Sequence, residues 1–443
     1  MRIYFLALHL VLSLLMVLGG SPLSAGTRVE PASVENMAYP LPDEPSFAIT
    51  LLDNVNSDPE IEYLREGMTV WMTDSLARIP GLFVIAPGST FTYRNKPVAI
   101  KTVAEELGVR YIVDGGIEMS DGKLLVSARL TDALKGELMW SGSYDRSIKD
   151  IFSIQDDIVF NCAKAAGVKG QTNVSTPLLT RNVDAYLVML KAEQHLRMPG
   201  KAGPPRAKPL LEEAIAIDQN FSVPYAFLSM LRTNMARGFF RSEDSREANF
   251  KSGLALAQKA VEINNTNDFA YVALGYNMMC QKKPDIALKN FDIARKINPL
   301  NDWAYSEAAT CLSWEDREKE AVIFFEEAIR LNPKLALNYI RVGRIYYHLR
   351  QYEDAVRMHQ KCYDLVREGH GAKWWPHLHL AMVYSEMGSE AEARSHMREL
   401  IEVWPKFNLE DRSRSLHFKD PALVERELTA LRKAGAPEHP PAK

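Results

Sequence analysis

Cysteine is scarce in this chain. Four occur in 443 residues, at positions 162, 280, 311 and 362. No two form a C-x-x-C pair, which argues against a zinc ribbon and a thioredoxin-type redox motif, and their spacing is not that of a disulfide framework. Charge of one sign is lacking too: 53 Lys and Arg stand against 56 Asp and Glu, a net charge of −3. That balance carries no electrostatic footprint for nucleic acid. Only one apolar run approaches membrane-spanning length, and it lies at the very start. Catalytic signatures are missing as well. Asp114-Gly115-Gly116 has neither G-x-G-x-x-G spacing nor the Lys-Ser/Thr of a P-loop, and reads as a turn or bulge. There is no G-x-S-x-G elbow and no H-E-x-x-H helix. The expectation is a chain that is not an enzyme and needs no cofactor.

What is present is a repeat. One block ends Ala294-Arg295-Lys296-Ile297-Asn298-Pro299, the next Ala328-Ile329-Arg330-Leu331-Asn332-Pro333, and the two prolines stand 34 residues apart. Inside the first block Tyr271, Leu274, Gly275 and Met278 recur at i, i+3, i+4 and i+7, one face of a helix. Lys283-Pro284-Asp285 interrupts, because proline cannot continue a helix interior. Ala287, Phe291 and Ala294 mark a second helix, and Asn298 precedes a proline that disfavours the α region. Corresponding sets follow. One has Tyr305, Ala308, Ala309, Leu312, Ala321, Phe325, Ala328 and Pro333. The next has Tyr339, Val342, Gly343, Tyr346, Ala355, His359 and Cys362, with Arg367 in place of proline. A displaced copy has His377, Leu380, Ala381, Tyr384, Ala393, Met397, Leu400 and Pro405. These residues resemble the tetratricopeptide repeat, a helix–turn–helix unit that stacks into a solenoid. Less regular copies begin at Asn182, where Tyr186, Met189 and Leu190 pair with Ala207, Leu211 and Ala214 across a loop from Pro199 to Pro205. About six units are expected over 182–407, then a capping helix over 408–436 and a disordered tail over 437–443.

The first 25 residues stand apart. Arg2 precedes an apolar run from Ile3 to Leu18, and small residues follow up to Ala25. This reads as a secretory signal. The run is shorter than the ~20 residues a spanning helix needs, but an uncleaved N-terminal anchor stays open as the alternative. The expected location is the periplasm or cell envelope, or else the inner membrane with contact only through this segment.

Residues 26–45 are polar and read as a linker. A different texture then covers 46–170. Phe47 to Leu52 is a buried-strand run. Asp58-Pro59-Glu60 opens a helix carrying Leu64, Met68, Trp71, Met72, Leu76 and Ile79. Leu82 to Ala86 is a second strand. Lys101 to Leu107 is a helix with Gly108 as a left-handed cap. Strands at 111–113, 123–130 and 137–144 follow, the first two joined by the hairpin signal Asp121-Gly122, and a helix over 148–164 closes the region. The order predicts an α/β sheet. A polar linker over 171–181 leads into the repeats.

Several residues here carry a second resemblance. They include Asp53-Asn54, Asp58-Pro59, Tyr63, Gly67, Gly81 to Ile85, Phe91-Thr92-Tyr93, Leu107 to Tyr111, Asp132, Trp140 and Tyr144-Asp145-Arg146. The region is similar to the TolB amino-terminal-like domain, in the version fused to tetratricopeptide repeats in bacterial adenylate cyclases and related regulators. The resemblance implies a sensory or scaffolding module working through protein contacts. It does not imply cyclase activity, because the place of a class III catalytic domain is taken by the signal-like segment.

The functional candidates are the inner-facing positions of the first helices. The resemblance puts Phe269, Val272, Tyr276 and Met279, then Trp303 and Ser306, then Leu337, Ile340, Arg344 and Tyr347, then Trp375, Leu378 and Met382 on the concave groove. Phe269, Tyr276, Trp303, Arg344, Tyr347 and Trp375 form the expected protein-binding set, since Trp, Tyr and Arg dominate binding hot spots. The same aromatics would serve equally well as core between repeats or against the α/β domain. The Lys and Asn set of carboxylate-clamp repeats is absent. His370, His377 and His379 gather in one segment, yet no Asp, Glu or Cys stands at ligand spacing, so no metal is expected. Cys280 and Cys311 lie on adjacent first helices and read as buried free thiols, with pairing the alternative if the chain is exported. The functional expectation is an exported scaffold that binds a protein or peptide in the groove. The alternative is a membrane-anchored sensor or regulatory subunit of a cyclase-like signalling system.

Overall fold

The computed structural model describes residues 28–168, 180–198, 202–240, 242–369, 371–416, 418 and 420–440. The signal-like segment, most of the second linker and His370 lie outside them. No helix among the described residues is long and apolar enough to cross a membrane. The chain divides near residue 175 into two compact units.

The first unit is a mixed sheet with helices. In chain order it has β1 (Ser46–Ile49), β2 (Asp53–Asn54), α1 (Glu62–Ala77), β3 (Phe83–Val84), α2 (Ile100–Leu107), β4 (Tyr111–Ser120), β5 (Lys123–Asp132), β6 (Glu137–Ser147) and α3 (Ile151–Ala165). The strand order is β3-β1-β4-β5-β6, with β2 also beside β4. β1 runs parallel to β3 and β4, and β4, β5 and β6 are antiparallel. All four residues of β1 are buried, as a strand covered on both faces requires. Ala48 and Ile112 share one core with Val103, Ala104 and Leu107 of α2. α1 and α3 pack on each other and on the sheet, with Leu64, Met68, Met72 and Leu76 buried at four-residue spacing. Gly108 ends α2 at φ 64°. Asp121 and Gly122 both have positive φ, the two-residue hairpin turn their pairing predicts.

Two expectations are corrected here. Asp114-Gly115-Gly116 is no turn; it lies mid-strand in β4 opposite Arg129, Ala128 and Ser127. A Cβ on Gly115 would stand 2.0 Å from the Ser127 carbonyl oxygen, so the glycine answers a close backbone approach. The described part of the first linker, from residue 28, is stitched to the domain. Val29 N donates to Gly136 O (3.0 Å), Ala32 N to Ala133 O (2.8 Å) and Ala38 N to Glu105 O (2.8 Å), and Ala32 enters the α2 core.

Among the described residues the second unit contains six helix pairs: α4 (Val183–Arg197) with α5 (Gly203–Ile217), α6 (Ser222–Ala236) with α7 (Arg246–Ile263), α8 (Asp268–Cys280) with α9 (Pro284–Ile297), α10 (Asp302–Trp314) with α11 (Glu318–Leu331), α12 (Ala336–His348) with α13 (Tyr352–Arg367), and α14 (Trp374–Glu386) with α15 (Glu390–Val403). Two further helices follow, α16 (Leu409–Ser415) and α17 (Pro421–Lys433), where a single capping helix was expected. Gly203, Pro204 and Pro205 belong to the first turn of α5 rather than to a loop, where a proline lacks only an N–H that would have no helical partner. The start of the expected disordered tail is paired: Leu409 N donates to Pro437 O (2.9 Å) and Glu410 N to Glu438 O (3.1 Å).

Two of the repeats close by the same device. A Cβ on Gly275 would stand 2.7 Å from the Phe291 ring, and one on Gly343 would stand 2.5 Å from the His359 ring. The small residue lets the second helix lay its ring on the first. The asparagines between units tie neighbours together. Asn298 and Asn301 both donate to Asp268 Oδ2, at 3.0 and 2.7 Å, and Asn332 donates to Asp302 Oδ2 at 2.7 Å. Asn267 and Asn301 also cap α8 and α10. The turns inside three pairs are held by Lys282, Asp316 and Arg350 at φ near +60°. All four cysteines are free thiols, and burial pushes Cys280 and Cys311 up to about 12.

Candidate functional site

Successive first helices α8, α10, α12 and α14 touch one another, so their shared side is the inner side of the array. Three surroundings succeed each other along it.

The first is an aromatic stripe. Phe227 of α6, Phe269 of α8 and Trp303 of α10 follow ring to ring, with centroids 4.6 and 5.9 Å apart. Trp303 stands edge-on to Phe269 at 78° and is 46% exposed. Phe227 and Phe269 are half-buried and pack against the repeat cores, so the stripe presents chiefly the Trp303 ring with its indole N–H, the kind of surface an apolar side chain of a partner covers.

The second is polar and closed. Tyr276 is buried; its hydroxyl donates to Asn234 Oδ1 (2.7 Å) and accepts from Arg237 Nη1 (2.5 Å). Burial pushes its pKa up, although the Arg237 guanidinium opposes. Further along, Arg341 Nη1 donates to Ser306 Oγ (2.9 Å) and pairs with Glu307 at 3.0 Å. Tyr276 therefore holds two first helices together and offers nothing to a partner.

The third is filled by the chain's own C-terminus. Glu427 of α17 is fully buried. Arg344 grips it with two bonds, Nε–Oε1 at 2.6 Å and Nη2–Oε2 at 3.0 Å. His348 Nε2 donates to Oε1 at 3.0 Å and Arg412 of α16 to Oε2 at 3.0 Å. Burial alone would raise this carboxyl; Arg344, His348 and Arg412 together hold it well below the usual range. Beside it Arg426 donates to the Tyr347 and His348 carbonyls at 2.9 and 3.2 Å, capping the C-terminus of α12. Its guanidinium also lies 4.5 Å from the Tyr347 ring centroid. Leu428 and Leu431 complete a core with Tyr347, Leu378 and Met382.

The six expected groove residues are thus split. Phe269 and Trp303 meet in the stripe. Tyr276 is internal. Arg344 and Tyr347 face α17. Trp375 is half-buried, edge-on to Trp374 at 6.2 Å. Phe227, Glu427 and Arg426 were missed. Phe227 lies in a copy too irregular to align by eye, and the contacts of α17 with α12 span 78 to 83 residues of sequence. The histidines also separate. His379 stacks on His359 at 5.0 Å, whereas His377 turns towards His396.

Comparison with known proteins agrees on the repeats. The tetratricopeptide-repeat family model matches residues 335–406. The chain is 27% identical over 250 residues to "Putative adenylate cyclase 3" of Rhizobium meliloti (strain 1021), which covers 56% of this chain and 42% of that protein. It is 31% identical over 99 residues to "Protein STIP1 homolog" of Dictyostelium discoideum, covering 22% and 16%. The chain thus spans less than half the length of these curated relatives. Among solved structures it is similar to PilW, a type IV pilus biogenesis factor, at 14% identity and a TM-score of 0.41, over 51% of this chain and 95% of that one. The C-terminal unit is an all-helical solenoid of the tetratricopeptide type, and the first unit is a mixed sheet domain.

Proposed function

We propose that this chain is a non-enzymatic scaffold whose repeats bind an amphipathic helix or peptide of a protein partner on their inner face. The repeat fold supports protein binding in general. The observation that carries the finer reading is the seat of α17: the inner side of α12 and α14 already accepts a helix, taking its leucines into a core and its glutamate into an Arg–His–Arg cage. Helix-in-groove recognition works by such spaced apolar anchors. Phe227, Phe269 and Trp303 offer the corresponding side of α6, α8 and α10 to a partner. In this reading Phe269 and Trp303 make the contact, and Tyr276, Arg344, Tyr347 and Trp375 shape the array around it. A photocrosslinking side chain placed at Trp303, against a control at the outward Ile323, tests this in the native cell. One dominant adduct at 303 and none at 323 is expected. Equal labelling at both, or none at either, would refute the groove.

The leader-like start and the TolB-like reading of the first unit support a cell-envelope location for this scaffold. Loss of about 25 residues on export, read by intact mass, is the expected result. The likeness to an adenylate cyclase over 250 residues favours a second reading, a regulatory subunit acting on a separate signalling enzyme and anchored by its uncleaved start. A full-length chain in the membrane fraction would move the assignment to it.

A further inference from the structure

Among the described residues one group of three or more His, Cys, Asp or Glu side chains converges its ligand atoms: His377, His396 and Glu399, all within 4.8 Å of one another. His377 comes from α14. His396 and Glu399 come from α15, three residues apart and so on one helix face. His377 Nδ1 is 3.3 Å from His396 Nδ1 and 3.3 Å from Glu399 Oε2. A Zn²⁺ ion holds nitrogen and oxygen ligands at about 2.0–2.1 Å in a tetrahedron, whose edge is then about 3.3–3.4 Å. Two measured separations fall on that edge.

Protons alone satisfy this arrangement poorly. Both separations lie beyond the usual ~2.7–3.2 Å range for N–H donors. A single proton on His377 Nδ1 would also have to serve two acceptors in different directions. A cation between the three atoms satisfies every lone pair at once. The rings are held in place: Tyr384 lies parallel to His396 at 2° and 5.7 Å, and Tyr363 stands edge-on to His377 at 5.4 Å. His377 is buried while His396 and Glu399 are partly exposed, so the site opens to solvent on the α15 side.

We infer that His377, His396 and Glu399 form a site for a Zn²⁺-class divalent cation that pins α14 to α15 and leaves a fourth position to water or to a ligand from a partner. Imidazole nitrogens select borderline transition metals; Mg²⁺ and Ca²⁺ prefer all-oxygen sites. The pin would brace the last repeat pair, where α17 also docks through Leu378 and Met382. It stands independently of the groove reading.

The test uses the full chain stripped of metal with a chelator. Zn²⁺ is titrated by calorimetry and Co²⁺ by visible absorption, on wild type, His396→Gln and Glu399→Gln. Both substituted positions are partly exposed, so folding is retained. One equivalent of Zn²⁺ is expected for wild type, with affinity reduced at least tenfold in each variant. An intense Co²⁺ band of tetrahedral type is expected for wild type alone. Raising Zn²⁺ should raise the urea midpoint of wild type and leave that of His396→Gln unmoved. Absence of saturable uptake, undiminished uptake in either variant, or a weak octahedral Co²⁺ spectrum would overturn the site.

Discussion

His359 occupies the position where the two preceding repeats place Phe291 and Phe325, and it should make the array sensitive to acid. Its side chain is fully buried, and neither ring nitrogen has a hydrogen-bond partner. Burial, and then the charge of Arg344, lowers its pKa to about 3. In the unfolded chain the value is about 6.5. The unfolded state therefore binds the proton first as pH falls, and stability must decrease with acid below about 6.5. Between pH 7 and pH 5 this one group should cost about 2 kcal/mol. His359→Phe removes the effect. The ring has room, because Phe291 rests on Gly275 much as His359 rests on Gly343. At pH 7 the variant should gain about 1 kcal/mol, by deleting two buried unpaired nitrogens. At pH 5 its advantage should grow to about 3 kcal/mol. Urea denaturation at both pH values, followed by circular dichroism, reads the difference. Titrating groups remote from His359 cancel between the two proteins, including Asp302, raised to about 6 by burial and acting with the opposite sign; His379 stacks on His359 and, with burial lowering its pKa in either protein, stays neutral over this range. A variant with the same pH dependence as wild type would refute the reasoning.

Other substitutions test other parts of the structure. Glu427→Ala should leave Arg344 and Arg412 charged without their partner and cost about 3–5 kcal/mol, with hydrogen exchange across 421–433 accelerating before that of α8 to α11. Trp303→Ala should lower stability by less than about 1 kcal/mol, as surface changes do, while abolishing the partner captured by a photocrosslinking side chain placed at Phe227. Gly275→Ala puts a methyl group into the Phe291 ring and should cost about 1–3 kcal/mol by overpacking. Lys282→Gly relieves a left-handed backbone and should stabilise by about 0.5–1 kcal/mol, measured by thermal unfolding.

How much of this was legible follows from the range of each interaction. Helix faces repeat within a few residues, so Leu64, Met68, Met72 and Leu76 declared α1, and the 34-residue spacing of Pro299 and Pro333 declared the solenoid. Asp121-Gly122 and Gly108 carry their backbone geometry in their own chemistry. Gly115 does not: a mid-strand glycine pressed against Ser127 looks like a turn glycine until the partner strand is known. Asp316 and Arg350 conceal their turns because neither glycine nor proline marks them, whereas Pro284 gives away the break beside Lys282. The cation site was invisible for a different reason. His377 and His379 are neighbours in sequence but point to different partners, and the ligands that meet His377 come from the next helix.

The inner face raised the hardest ambiguity, because a large aromatic at a groove position suits a core and a binding hot spot equally. Its resolution lies in charge. Tyr347 is accompanied by Arg344, with Arg412 close by, and two guanidinium groups on one largely buried face would be costly without an anion. Glu427 supplies the anion from within the chain, so that end of the face is complete. The stripe from Phe227 to Trp303 asks for no such counter-charge. Phe269 and Trp303 can stand in solvent at the modest cost of exposed apolar area, about 25 cal/mol per Å², until a partner covers them. Residues that need an occupant have one in the fold, and residues that merely profit from one remain available. On that argument the proposed binding end of the array is α6 to α10, and α12 to α17 is the end that braces it.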